Sequence, residues 1–324
     1  MHTSENELLF ATFFARSLER EKAFTAPDSK LRLAHYTSSQ VGLSIIRDRE
    51  LWMRNARMME DESELIHGQK MLADHLKADN PSGRQLIASI SSIGESIWKE
   101  SLSRFDDVAG TTVSQTYLAC FCQHNVQEDG DGRLSMWRAF GGLGKTDAVA
   151  LVIRPPFTKP ATSAVFRTPV EYWDSKKFEA ELVRIAEKVD ANSEAIKTCS
   201  EEAVAYYLSG ALIGALLGMK HPAFREEQEW RIYTALVGEP PSLEIEKCTE
   251  VVRGTPQTIL KLKFGQLAQA GHDLYSLDSL IEQVIVGPSK HQDMVRQVFI
   301  EELNRGGVCD AASRVVNSGI PIRV

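Results

Sequence analysis

Apolar positions along this chain switch between the spacing of a helix and that of a strand, with no repeating unit. In the first twenty residues Leu8, Leu9, Phe13, Phe14 and Leu18 recur at helical spacing among Glu5, Glu7 and Glu19, which predicts an amphipathic helix. Leu31-Arg32-Leu33-Ala34-His35-Tyr36 alternates as a short strand does. Thr37, Ser38 and Ser39 offer hydroxyls to cap a following helix that runs to about Arg49. Leu51 to Asn55 predicts a second strand. Asp61 and Glu62 open a long helix with Leu65, Ile66, Met71, Leu72 and Leu76 on its apolar side. Asn80-Pro81-Ser82-Gly83 breaks that helix, and another follows to about Phe105.

The middle of the chain predicts a strand at Tyr117 to Cys122, a polar loop at Gln127 to Gly132, and one or two helical turns at Ser135 to Phe140. Ala148 to Ile153 is an apolar run of strand length, stopped by Pro155-Pro156, which can mark a subdomain boundary. Ala164 to Tyr172 reads as extended. Helices at about 174–190 and 197–217 come next, then a strand that bears Glu227 and Glu229 at its mouth. The tail predicts strands at Gln257–Phe264 and Ile281–Gly287, a helix at about 289–304, and an extended end at Ile320–Arg323. Strands and helices are interleaved without a regular βαβ rhythm, so the class expected is α+β. The expectation is a single domain. Its parts would be a helical segment at 1–25, a core at about 30–240 and a C-terminal α/β extension at about 241–324.

Composition narrows the possibilities. The chain has 324 residues, 43% of them apolar and 25% charged, which is enough to bury a sizeable core. A formal charge of −7 argues against a protein-wide basic footprint for nucleic acid, although a local patch stays open. Five cysteines without regular spacing make no disulfide framework. Cys120 and Cys122 fit buried thiols on one strand face in a reducing, cytoplasmic compartment. The N-terminus lacks the pattern of a targeting signal. The most apolar stretch, Ala203 to Met219, is too short and too rich in glycine for a comfortable membrane span.

The candidate chemistry centres on Phe224-Arg225-Glu226-Glu227-Gln228-Glu229-Trp230-Arg231. On a strand, residues i and i+2 project from one face, so Glu227 and Glu229 would converge about 7 Å apart, with Arg231 next. Like charges so placed repel and raise at least one pKa unless a cation lies between them. Arg231 can be that cation in a purely structural role. Alternatively, the carboxylates bind a ribose hydroxyl and stabilise an electron-poor sugar carbon. His35, at a strand end, can donate to a ribose or phosphate while Tyr36 packs on the other face. Ser135 can orient a ribose or a carboxylate, and Trp137 can stack on a flat ring or simply plug the core.

Two other motifs lead elsewhere. Gly141-Gly142-Leu143-Gly144-Lys145-Thr146 ends like a phosphate-binding loop but has Ala139 where the pattern needs glycine, and a strand follows it instead of preceding it. A turn is the reading. His67, Asp61, Glu64 and the two glutamates are a competing metal set, but no His-x-x-x-His or His-Glu-x-x-His spacing supports it. No metal is expected.

Several blocks together resemble a bacterial domain-of-unknown-function family, number 2971. They are Leu51-Trp52-Met53-Arg54-Asn55-Ala56, Glu60-Asp61-Glu62-Ser63-Glu64, Ser135-Met136-Trp137, Lys220-His221-Pro222-Ala223-Phe224 and Glu227-Gln228-Glu229-Trp230-Arg231. Ile285-Val286-Gly287-Pro288 and Ser318-Gly319-Ile320-Pro321-Ile322-Arg323 complete the set. The order of a strand-end His, a central Ser and Glu-x-Glu entering a strand is also similar to the ADP-ribosyltransferase-like superfamily. Two departures stand out: Ser135 is not in a Ser-Thr-Ser strand, and His35 belongs with one branch while Glu-x-Glu belongs with another.

That second resemblance implies a split mixed sheet with helical insertions, NAD as co-substrate and no metal. It implies that His35 holds the adenosine ribose or phosphate, with Thr37 and Arg231 also on the cofactor side, and that Tyr36 or Trp137 sandwiches nicotinamide. Ser135, Glu227 and Glu229 would be catalytic, Glu229 stabilising the oxocarbenium ion and Glu227 orienting the acceptor. Arg32, Arg54 and Arg138 are candidates to meet the pyrophosphate. The acceptor would be a protein, a nucleic acid or water, in the setting of a bacterial toxin or anti-phage effector with an antitoxin or other partner protein, and without a membrane. The alternatives are a non-catalytic nucleotide-binding or interaction module, in which the glutamates and Arg231 form a structural ion pair, and a metal-dependent nuclease.

Overall fold

The structure is a computed structural model that describes all residues except 1, 26–31, 59–61, 78, 142–146, 155–164, 236–244, 253, 266–274 and 322–324. The glycine-rich turn after Gly141, Pro155-Pro156, Asp61 and the last residues of the tail therefore lie outside the described residues. The chain is α+β, with a mixed sheet and many helices. Its contacts group into two compact units. The first comprises Met1–Phe24, Ala56–Gln115 and Thr168–Arg225; the second comprises Thr25–Asn55, Thr116–Arg167 and Glu226–Val324. Each unit is assembled from three separated stretches of the chain. Alternation of patterns along a chain says which elements form, not which of them share a core.

The first unit is helical. Its core joins Leu9 and Phe13 of the helix His2–Phe13, Leu72 of Glu62–His75, Leu86 and Ile90 of Pro81–Ile93, Leu182 of Ser175–Ala191, and Leu208 of Glu201–Gly218. Asn80-Pro81-Ser82-Gly83, which reads as a break, is the start of a helix. The Asn80 side chain accepts the N–H groups of Ser82 and Gly83, and Pro81 occupies the first turn, where a missing N–H costs nothing. Gly83 is required by close approach, since a Cβ there would stand 2.1 Å from the His75 carbonyl oxygen. Glu201–Gly218 is the most apolar helix, yet among the described residues no helix is long and apolar enough to cross a membrane.

Twelve strands are described: β1 Arg32–Ser38, β2 Leu51–Asn55, β3 Thr116–His124, β4 Ala148–Ile153, β5 Phe166–Pro169, β6 Glu171–Tyr172, β7 Met219–Lys220, β8 Glu229–Ala235, β9 Ile245–Val252, β10 Thr255–Leu262, β11 Ile281–Val286 and β12 Val315–Asn317. β6 and β7 form a small parallel pair in the first unit. The other ten make one sheet, in which β12 joins β11 in parallel and β1, β2, β3, β4, β8, β9, β10 and β11 pair antiparallel along the rest of the registers described. β9 and β12 carry no clear signal in the sequence: β9 alternates its burial on a sheet edge, and β12 is three residues long.

β3 organises this sheet. One of its edges pairs with β8, from Thr116 opposite Ala235 to Cys122 opposite Glu229. Its other edge is shared end to end. β1 pairs there at Cys122–His124, and β2 at Tyr117 and Leu118. β1 leads on to β4, β11 and β12, whereas β2 leads on to β10 and β9, so the sheet forks at β3. A His35 ring nitrogen lies 2.9 Å from the Cys120 carbonyl oxygen, between the two branches. A carbonyl only accepts, so Nδ1 of His35 carries the proton and donates it.

The sheet is covered on both faces. The helix Leu134–Gly141 packs Met136 and Trp137 against Ala34, Tyr36, Cys122, Ala150, Val152 and Ile285. The helix Ser39–Asp48, capped by the Ser38 hydroxyl, and Phe299 of the helix Gln292–Arg305 cover the opposite face, where Gly42 approaches Val149 closely. Trp137 is the keystone of its layer at 1% exposure. Its indole N–H donates to the Asp131 carbonyl at 2.7 Å, and its ring meets Tyr36 edge-on at 4.8 Å. Two glycines make room for it. A Cβ on Gly132 would come within 2.6 Å of the indole, and one on Gly287 within 2.8 Å.

Gly132 also has φ +68°, a backbone conformation that L side chains rarely adopt. Gly132→Ala should therefore lower the unfolding free energy by roughly 1–3 kcal/mol, measured by urea denaturation followed through tryptophan fluorescence. An unchanged midpoint would show that the turn relaxes without disturbing Trp137.

Candidate functional site

Strand alternation sorts the candidate residues before any distance is measured. Paired residues of neighbouring strands share a face, so Ala34, Cys122 and Glu229 face one way, and Tyr36, Cys120 and Arg231 join them. His35 and Thr37 point the other way, together with Phe121 and Ile232. The sequence-based set is therefore divided by the sheet. Tyr36, Trp137, Glu229 and Arg231 belong to one side, and His35 and Thr37 to the other. His35, Ser135, Trp137 and Glu229 therefore do not line one pocket, because register with β3 sets His35 and Glu229 on opposite faces of the sheet.

The acidic pair is also arranged differently from the expectation. β8 begins at Glu229, and Glu227 ends a 3₁₀ segment, Pro222–Glu227. Gln228 between them has φ +46°, which turns the chain into the strand. The i, i+2 relation of a strand thus joins Glu229 to Arg231 and not Glu227 to Glu229. Arg231 donates Nε–H to Glu229 Oε1 at 2.8 Å and an NH2 proton to Oε2 at 3.3 Å. Both side chains are about 5% exposed. A two-point bond with an arginine holds a buried carboxylate ionised and fixes its plane.

Arg133, which sequence reasoning missed, sets this geometry. Its Nε and NH2 groups bond the Glu128 carboxylate at 2.8 and 3.2 Å. NH1 donates to the carbonyls of Glu226 and Glu227, both at 2.7 Å, and NH2 donates to the Gln123 carbonyl at 2.8 Å and to Gln228 Oε1 at 3.2 Å. The Gln123 N–H in turn donates to the Gln228 carbonyl at 2.8 Å. One buried guanidinium thus ties the turn before β8 to the end of β3. The backbone N–H of Arg133 donates to the Tyr36 hydroxyl at 2.8 Å. The only cue in the sequence was an arginine closing a polar, glycine-rich loop.

Ser135 and Trp137 complete this side. Ser135 is half-buried in the first turn of its helix, and its hydroxyl oxygen is enclosed without a hydrogen-bond partner among the described residues. Trp137 is a core residue whose indole is enclosed by Tyr36, Gly132 and Gly287, so it offers no open face for a flat ring. Burial pushes the Tyr36 hydroxyl and the Cys122 thiol well above their ordinary pKa values, so both stay neutral.

Of the candidate pyrophosphate partners, Arg32 is taken up by Asp129 at 2.6 Å and Glu282 at 3.2 Å, and Arg54 bonds Gln257 at 3.3 Å. Arg138 is exposed. Among the described residues no group of three or more His, Cys, Asp and Glu side chains could hold a metal ion. All five cysteines are free.

Residues 136–232 match the model of a family described as a protein of unknown function, DUF2971. The match runs from Met136 to Ile232, so it takes in Trp137, Glu227, Glu229 and Arg231, while Ser135 falls one residue before it. It bears out the family resemblance read from the sequence, and the ADP-ribosyltransferase likeness has no counterpart among the matches. No curated protein and no solved structure matches the chain.

Two predictions follow from this geometry. Arg133→Met leaves three carbonyls and a carboxylate without their cation, so it should cost roughly 3–5 kcal/mol. It should also speed amide hydrogen exchange at residues 226–230 before it does so elsewhere. The second concerns acid. Burial lowers the pKa of His35 and outweighs the Cys120 bond. Burial also lowers that of His124, outweighing Asp129, with the Arg32 charge acting in the same direction. The unfolded chain then binds more protons than the folded one below the ordinary histidine value of about 6.5. Stability should hold above that pH and fall as pH drops beneath it, and His35→Gln should flatten the slope by up to one proton.

Proposed function

We propose that the chain binds NAD on the face of the sheet that carries Tyr36, Ser135, Glu229 and Arg231, and cleaves the nicotinamide–ribose bond. The observation that carries this reading is the Glu229 carboxylate, locked by Arg231 at the entry of a central strand. Breaking that bond develops positive charge on the sugar. A carboxylate kept ionised and already oriented favours that transition state over the ground state. Glycosidases meet the same kind of ion with carboxylates. In this reading Glu229 faces the sugar, Glu227 orients the acceptor, and the unpartnered Ser135 hydroxyl meets a ribose oxygen or the carboxylate. His35 and Thr37 are left out, since they face the other way. The acceptor is water, a protein or a nucleic acid, and the free cysteines fit a reducing compartment.

A second reading rests on an observation of its own. Glu229 and Arg231 are almost fully buried and bond one another at two points, as a pair that only holds β8 would. The protein would then be a binding or interaction module without this chemistry.

Nicotinamide release from NAD, measured with and without cell lysate as acceptor, separates the two. Under the first reading wild-type protein releases nicotinamide, and Glu229→Gln slows release by about 10²–10³. The paired replacement Glu229→Leu with Arg231→Met exchanges the ions for apolar groups, which is often neutral or stabilising by about 1–4 kcal/mol. It should fold and yet release nothing. Absence of both NAD binding and release in the wild type would leave the structural pair as the answer.

A further inference from the structure

On the face of the sheet away from Glu229, the fork leaves a partly open cavity of about 50 Å³. Leu151 and Ile153 of β4, Ile232 of β8, Leu262 of β10, Phe121 of β3 and the ring of His35 are among its walls, and the surface it presents is apolar. The cause is topological. β1 and β2 pair with different ends of the same edge of β3, and side chains of both branches, Leu151 and Ile153 on one and Leu51 and Leu262 on the other, line the cavity.

Two physical facts restrict what can fill it. The volume is several times the roughly 10–15 Å³ that one water needs, but a buried water also needs two to four polar partners, which this wall does not supply. An interior otherwise packed at crystal density loses stability in proportion to a void left empty.

The geometry points to a binding site for a short, uncharged aliphatic group. At roughly 10–15 Å³ for each water-sized group the cavity holds about four of them, which limits the occupant to about four carbon atoms. Charge is excluded, because no counter-ion lines the wall and desolvation would go uncompensated. A polar end of the ligand stays at the open side. This site does not depend on the NAD reading, since it lies on the other face of the sheet.

His35 supplies an internal reporter. Its Nδ1 proton is committed to Cys120, and its ring forms part of the wall. Filling the cavity with hydrocarbon removes what water reaches the ring and disfavours its protonated form further.

The test titrates the full chain with straight-chain 1-alkanols from ethanol to hexanol and with the matching carboxylate salts. Binding is read from the unfolding temperature and from the NMR titration of the His35 ring. Affinity should rise about fourfold per methylene up to butanol and then fall. Butyrate should not bind, and saturating butanol should lower the His35 pKa. Ile232→Phe fills the cavity and should abolish the response while the protein stays folded. A response that climbs steadily through hexanol, equal binding of butyrate, or an unmoved His35 resonance would each overturn the proposal. The wild-type chain-length break and the His35 shift decide it alone if Ile232→Phe does not fold.

Discussion

The face of the sheet that carries Glu229 depends on one buried guanidinium. Arg133 bonds through all three of its nitrogens, to a carboxylate, three backbone carbonyls and a side-chain amide. A lysine offers a point charge and three donors, and could not span acceptors laid out in a fork. Because Glu226 and Glu227 are held by their carbonyls, Gln228 takes its left-handed turn and β8 enters the sheet with Glu229 inward. The Glu229–Arg231 bond and the pairing of Cys122 with Glu229 lie downstream of that clamp.

The second constraint is the fork at β3. A strand has two edges, and β3 gives one wholly to β8 while dividing the other between β1 and β2. An interruption of this kind leaves backbone groups to satisfy, and His35 answers for Cys120. Burial, which outweighs that bond, lowers the pKa of the ring. A histidine at a strand end can bind phosphate or ribose, but this one spends its proton on the main chain. The same opening that requires His35 also leaves the apolar cavity beside it.

Local physics was legible where one element decides the outcome. The strands at Arg32–Ser38, Leu51–Asn55, Thr116–His124 and Ala148–Ile153 follow from alternation or an apolar run. The helix after Ser38 follows from a hydroxyl cap. Asn80-Pro81 was recognised as a boundary, though its role as the start of a helix emerged only with the cap bonds. Gly132 and Gly287 gave no such cue. Their need for a bare Cα comes from Trp137, which reaches them only after the sheet has formed.

By itself, the sequence determined the α+β class, the resemblance that the match over residues 136–232 bears out, Arg231 as one candidate partner for the glutamates and the core-plugging alternative for Trp137. The readings of Arg231 and Trp137 rest on spacing within a few residues, where strand and helix periods act directly. Only the tertiary structure decided which candidates share a face. Register with β3 placed Glu229 and Tyr36 on one side and His35 on the other, and a left-handed Gln228 took Glu227 off the strand. The physical reason is that a face is a property of paired strands, and β3, which aligns β1 with β8, lies about a hundred residues from each.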